Sequence, residues 1–173
     1  MAKRSTLESV YRTYMPDVYR YLRSLCGDDA TAEDLVQETF YRAYLHLENY
    51  RDEQVKPWLF RVAYHALIDL KRKESRSIAS ADEWFHRLPD DDGNGPESVL
   101  LRKEGHDRLL AWIGGLPEMQ KQAVVLVDLH QFSYQEGAEV MGITLSHFKV
   151  VLFRARQQLR KIREKEERDE LRF

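Results

Sequence analysis

The sequence predicts an all-α protein made of two small helical domains joined by a flexible acidic linker. Three observations carry that expectation. The 173 residues include only eight glycines and five prolines, and alternating β-branched runs are few. Apolar residues instead recur at helical spacing along most of the chain. Between Ser75 and Pro96 that patterning stops, and the stretch from Asp90 to Pro96 (Asp-Asp-Asp-Gly-Asn-Gly-Pro) is unsuited to regular structure. From Arg76 to Ser98 two basic residues stand against six acidic ones, a net of −4. The expected division is therefore 1–75, a linker 76–98, and 99–173.

In the first domain Leu7, Val10, Tyr11 and Tyr14 share one helical face. Pro16 is expected to break or restart that helix, with Val18, Tyr19, Leu22 and Leu25 continuing on a second one that Gly27 closes. Thr31 is expected to cap the next helix, which runs to about Leu47. Asn49 to Gln54 reads as a polar loop, and Pro57 as the first turn of a long helix ending in Lys71-Arg-Lys73. In the second domain a helix from Val99 to Ile113 stops at Gly114-Gly115. Another opens at Leu116-Pro117, with Val124, Val125, Leu126 and Leu129 as its core face.

The last part is the most informative. Ser133-Tyr-Gln-Glu136 is a capping box, Ala138 suits a close helix contact, and Gly142 falls where a turn needs positive φ. Gly137 occupies a position where a large apolar residue is usual, which weakens the first helix by roughly 1 kcal/mol relative to Ala. Thr144 then caps a second helix with Phe148, Leu152 and Leu159 at core spacing. These offsets are those of a helix-turn-helix at about 134–153, whose second helix enters the major groove of duplex DNA. From Val140 to Arg163 there is no Asp or Glu, while Lys149, Arg154, Arg156, Arg160, Lys161 and Arg163 are basic. The whole chain carries a net charge of −2, so affinity for phosphate must be local.

Two stretches of the first domain also carry chemistry. Helical spacing places Asp34, Gln37, Glu38 and Tyr41 on one side of their helix, with Glu33 beside them, a face fit for solvent or a basic protein surface. From Gln54 to Ile68 there is no acid, and Lys56, Trp58, Arg61, Tyr64 and His65 interleave rings with basic and polar groups. Rings stack unpaired bases while cations hold phosphates, the pattern for single-stranded nucleic acid. Trp58 and Phe60 also suit a core.

Other classes are poorly supported. The six histidines form no metal-ligand spacing, and the chain has no phosphate loop or nucleophile elbow. No cofactor, metal or catalytic residue is expected. Cys26 is the single cysteine, and there is no signal peptide or membrane-length apolar run, so a cytoplasmic protein with no direct membrane insertion is expected. A conventional helix-turn-helix regulator of duplex DNA is the alternative. A helical adaptor without a DNA role leaves the acid-free run unexplained.

Four segments in order, Ala32 to Phe40, Lys56 to Arg61, Ala66 to Asp69, and Ser133-Tyr134 through Phe153 to Arg156, resemble the extracytoplasmic-function (ECF) sigma factors of bacterial RNA polymerase. The resemblance implies regions two and four of that family on either side of the linker. It implies that Glu33, Asp34, Gln37, Glu38 and Tyr41 dock on the clamp helices of core polymerase. Tyr50, Lys56, Trp58, Arg61, His65, Arg72 and Lys73 would capture the melted −10 element, the loop Tyr50 to Lys56 included. Ser146, His147, Lys149, Arg154 and Arg156 would read the −35 duplex. An anti-sigma protein is a further implied partner. His65 departs from the Asn, and Val150-Val151 from the Ser-Arg, that many members carry at these positions.

Overall fold

A computed structural model describes residues 6–46, 52–76 and 97–172. Among them every regular element is helical. They fall into two compact units.

The first unit packs α1 (Leu7–Cys26), α2 (Asp29–His46) and α3 (Asp52–Ser75) against one another. Thr6 caps α1 by accepting from the Ser9 amide at 3.2 Å, and Gly27 ends it at φ 71°. Pro16 does not break α1, contrary to the sequence expectation. Val10 on one side of it and Val18, Tyr21, Leu22 and Leu25 on the other all bury on one stripe, which holds the helix continuous. Pro16 and Arg12 lie on the exposed side, where water can reach the Arg12 carbonyl that loses its amide partner.

Thr31 is not the cap of α2. Asp28 is, because its carboxylate accepts from the Thr31 amide at 3.1 Å and from the Thr31 hydroxyl. The helix begins at Asp29, so Asp28 holds the cap position and Thr31 is already in its first turn. Pro57 is not in the first turn of α3, because the helix begins five residues earlier at Asp52. Residues 52–54 are thus helical rather than loop, and 52–56 cannot form the loop expected between Tyr50 and Lys56. The core of this unit is built around Tyr21 against Phe60, with ring centroids 4.9 Å apart, and around Leu22, Leu59 and Leu67. Tyr11 meets Phe40 edge-on at 4.9 Å on the flank.

The second unit contains α4 (Glu97–Gly114), α5 (Glu118–Val124), the first five residues of α6 (Tyr134–Met141) and α7 (Leu145–Glu170). α5 runs directly into a π-helical turn, Val125–Leu129. Val124, Val125 and Leu126 are buried as expected, whereas Leu129 is half-buried because the wider turn rotates it outward. The chain then reverses through Gln131, which takes φ 58° although it is not glycine. Phe148, Leu152, Ala155 and Val151 of α7 are buried, as are Ile113, Phe132 and Ala138. Leu159 is half-buried at its margin.

Candidate nucleic-acid interface

α6 and α7 form the helix-turn-helix, and its local signals act as the residue types suggest. Ser133 and Glu136 cap α6 reciprocally, each amide donating to the other's side chain at 3.1 Å. Gly142 adopts φ 66°, and the Thr144 hydroxyl accepts from the His147 amide at 3.2 Å. Ala138 is buried where expected, but the tightest approach is at Gly137. A Cβ there would lie 2.5 Å from Cζ of the fully buried Phe148 ring. The missing side chain is therefore space for α7's largest core residue, and the cost in helix propensity is offset by packing.

With Phe148, Val151, Leu152 and Ala155 turned inward, the outward face of α7 is determined. At about 100° per residue, Ser146, Val150, Phe153 and Gln157 fall within about 60° of one another on the side opposite the core. Lys149 and Arg154 lie about 70° to either side of that stripe. All six are exposed, as is His147. Among the described residues no carboxylate pairs with Lys149 or Arg154.

Arg156 is placed differently from the other cations of α7. Its guanidinium grips the Asp128 carboxylate at 2.7 and 3.2 Å and reaches the Tyr134 hydroxyl at 3.2 Å. It ties α7 to the π-turn and to the start of α6. These partners, Asp128 first, raise its pKa further, so it stays charged at any working pH. The sequence places Tyr134 within the capping-box motif and gives Asp128 no role; their convergence on Arg156 needs the tertiary fold.

In the first unit Glu33, Asp34, Gln37, Glu38 and Tyr41 are all exposed on one stripe of α2. Tyr44 and Leu45 extend it with 65% and 56% of their surface open, two residues that charge patterning had not picked out. Glu38 is not a free charge: it accepts from Arg42 Nε at 2.8 Å, and Arg42 also reaches Asp69 of α3 at 2.9 Å. That relay fixes α2 against α3.

On α3, Arg61, His65 and Arg72 share an exposed stripe, and Lys73, also exposed, lies about 100° from Arg72. Partial burial and then the neighbouring Arg61 charge push the His65 pKa down, so its imidazole is neutral at neutral pH. Lys56 is half-buried, its Nζ 6.0 Å from the centroid of Phe60. Trp58 is only 8% exposed and belongs with the core. Tyr50 lies outside the described residues; among the described ones Arg61, His65 and Arg72 share one face of α3, while Lys56 lies about 140° round the helix from Arg61.

Comparison with known proteins assigns both units. The Sigma-70 region 2 profile matches residues 10–77, and the Sigma-70 region 4 profile matches residues 106–159. The chain is 40% identical over 155 residues to the ECF RNA polymerase sigma factor SigM of Bacillus subtilis (strain 168), covering 90% of this chain and 93% of that one. It is 28% identical to the RNA polymerase sigma factor YlaC of the same organism, covering 93% and 94%. Among solved structures, the sigma factor RpoE of Bartonella quintana, crystallised with the anti-sigma factor NepR, shares the fold with a TM-score of 0.72. That match has 22% identity and covers 91% of this chain and 96% of that one. These likenesses favour an alternative sigma factor over a free-standing duplex regulator. With both regions matched in order and a relative at 40% identity across nearly its full length, the chain belongs to the ECF family of RNA polymerase sigma factors.

Proposed function

We propose that this chain binds core RNA polymerase, directs it to particular promoters and helps open the −10 element, acting by binding rather than catalysis. The observation that supports this best is α7: a capped helix with outward cations on both flanks, no acid from Val140 to Arg163, and a buried face that fixes which side is presented. Such a surface suits a major groove bordered by phosphates. The two sequence-expected domains, 1–75 and 99–173, suit this division of labour, although the helix of the second begins two residues earlier, at Glu97.

Ser146, His147, Lys149 and Arg154 then face the −35 duplex, while Arg156 orients the helix. Glu33, Asp34, Gln37, Glu38 and Tyr41 meet the clamp helices of the polymerase, an acidic and aromatic face for a basic partner. Lys56, Arg61, His65, Arg72 and Lys73 hold the backbone of the opened −10 strand, with Tyr50 as the stacking ring; Trp58 contributes by supporting α3. An anti-sigma protein is the expected regulator, in keeping with the neighbour solved with one. No described helix is long and apolar enough to cross a membrane, and the polymerase partner sets the site of action as the cytoplasm.

Transcription in vitro with core polymerase and a genomic promoter set tests the reading. Defined transcripts appearing only when this chain is added support it. Duplex binding without polymerase recruitment would instead favour the conventional regulator.

A further inference from the structure

The centre of α7's outward face is apolar, and its charge lies at the edges. Val150 is 46% exposed and Phe153 is 62% exposed, one helical turn apart on the stripe opposite the core. Ser146 and Gln157 continue that stripe, and Lys149 and Arg154 flank it. Val150 is not needed for the core: its neighbour Val151 is 7% exposed and Phe148 is fully buried, so the packing of α7 is complete without it. An exposed apolar patch of one valine and one phenylalanine on the face that meets a groove is best matched by an apolar counterpart there.

In the major groove that counterpart is the 5-methyl group of thymine, while the other base-edge features are hydrogen-bond donors and acceptors. The flanking cations select the occupant: they are spaced to reach phosphates on either side of the helix while the middle of the helix meets base edges. We infer that Val150 and Phe153 form an apolar reading surface that selects thymine methyl groups in the duplex −35 element, making them specificity-determining residues of this chain. The inference rests on the proposed −35 role of α7. A polar residue at position 150 would hydrogen-bond a base edge; valine has no such group and discriminates only by the methyl it covers.

The test uses holoenzyme assembled from this chain and core RNA polymerase, on a genomic promoter fragment that the holoenzyme transcribes. The fragment is resynthesised with deoxyuridine for every thymidine of the −35 region, which removes the methyl groups and keeps the pairing. Affinity should fall about fourfold for each methyl covered, the factor that corresponds to about 0.8 kcal/mol per buried carbon. The variant Val150→Ala/Phe153→Ala, both at exposed positions, should bind the two duplexes equally. Equal binding of both duplexes by the unmodified chain overturns the inference while leaving the −35 role standing. So does a uracil penalty that persists in the double variant, because another group would then sense the methyls. A −35 region without any A·T pair overturns it as well. If no promoter is bound at all, the sigma reading and this inference fall together.

Discussion

Two exposed faces of this protein use their charges in opposite ways. On α7, Lys149 and Arg154 point outward and no described carboxylate answers them. On α2 and α3, charge is spent within the fold as well as presented: Glu38, Arg42 and Asp69 form a relay between the helices. The difference follows from packing. α7 is anchored by Phe148, Val151, Leu152 and Ala155, so its outward face takes no part in packing. α2 packs between two neighbours, and its polar side must help to set their register as well as meet a partner. A charged residue in a binding helix therefore cannot be assigned a partner from its type alone.

The largest effect should come from reversing a charge on α2 that has no internal duty. Asp34 is exposed and outside the relay, so Asp34→Lys should weaken binding to core polymerase about tenfold or more while leaving the helix content unchanged, measured by titration with labelled core. Glu38→Lys is the less clean probe, because it also sets a cation against Arg42. Unchanged affinity in Asp34→Lys would remove the acidic face from the polymerase contact.

Stacking by Tyr50 should come next. Tyr50→Ala should reduce open-complex formation roughly tenfold, since base–aromatic stacking contributes about 1–3 kcal/mol per base. Full opening by that variant would leave strand capture to the cations of α3.

Gly137→Ala probes packing under the recognition helix. Helix propensity alone favours the change by roughly 1 kcal/mol, but overpacking a core costs about 1–3 kcal/mol. Because the ring of Phe148 is fully buried and cannot swing into solvent, the second term should win, and chemical denaturation should show a net loss of about 1 kcal/mol. A gain in stability would mean that the ring relocates freely.

The smallest and sharpest comparison lies within α7 itself. Arg154→Ala should lower promoter affinity and reduce the magnitude of its salt slope by about 1, with the melting temperature unchanged. Arg156→Ala should do the reverse, lowering the melting temperature by a few degrees, as expected for the loss of a partly exposed ion pair of about 1 kcal/mol, while the salt slope stays the same. If both variants change the slope equally, Arg156 leaves Asp128 to hold a phosphate in the complex.

What the sequence by itself determined are the features whose cause lies within four or five residues. Ser133 with Glu136, Thr144, Gly27 and Gly142 are caps and turns written in local chemistry, and each is found in its expected role. The helical class, the outward face of α2 and the acid-free run of α7 were legible for the same reason, because periodicity and charge are properties of short windows. Only the tertiary structure decided the rest. Pro16 stays within α1 because buried residues on both sides of it outweigh one lost hydrogen bond, and no local rule contains that sum. Asp28 displaces Thr31 as the cap by its position ahead of α2. Gly137 is a space reserved for Phe148, eleven residues on, and Arg156 is committed to Asp128, twenty-eight residues back. Contacts at such separations depend on how helices meet, which the chain specifies through its whole core rather than through any motif.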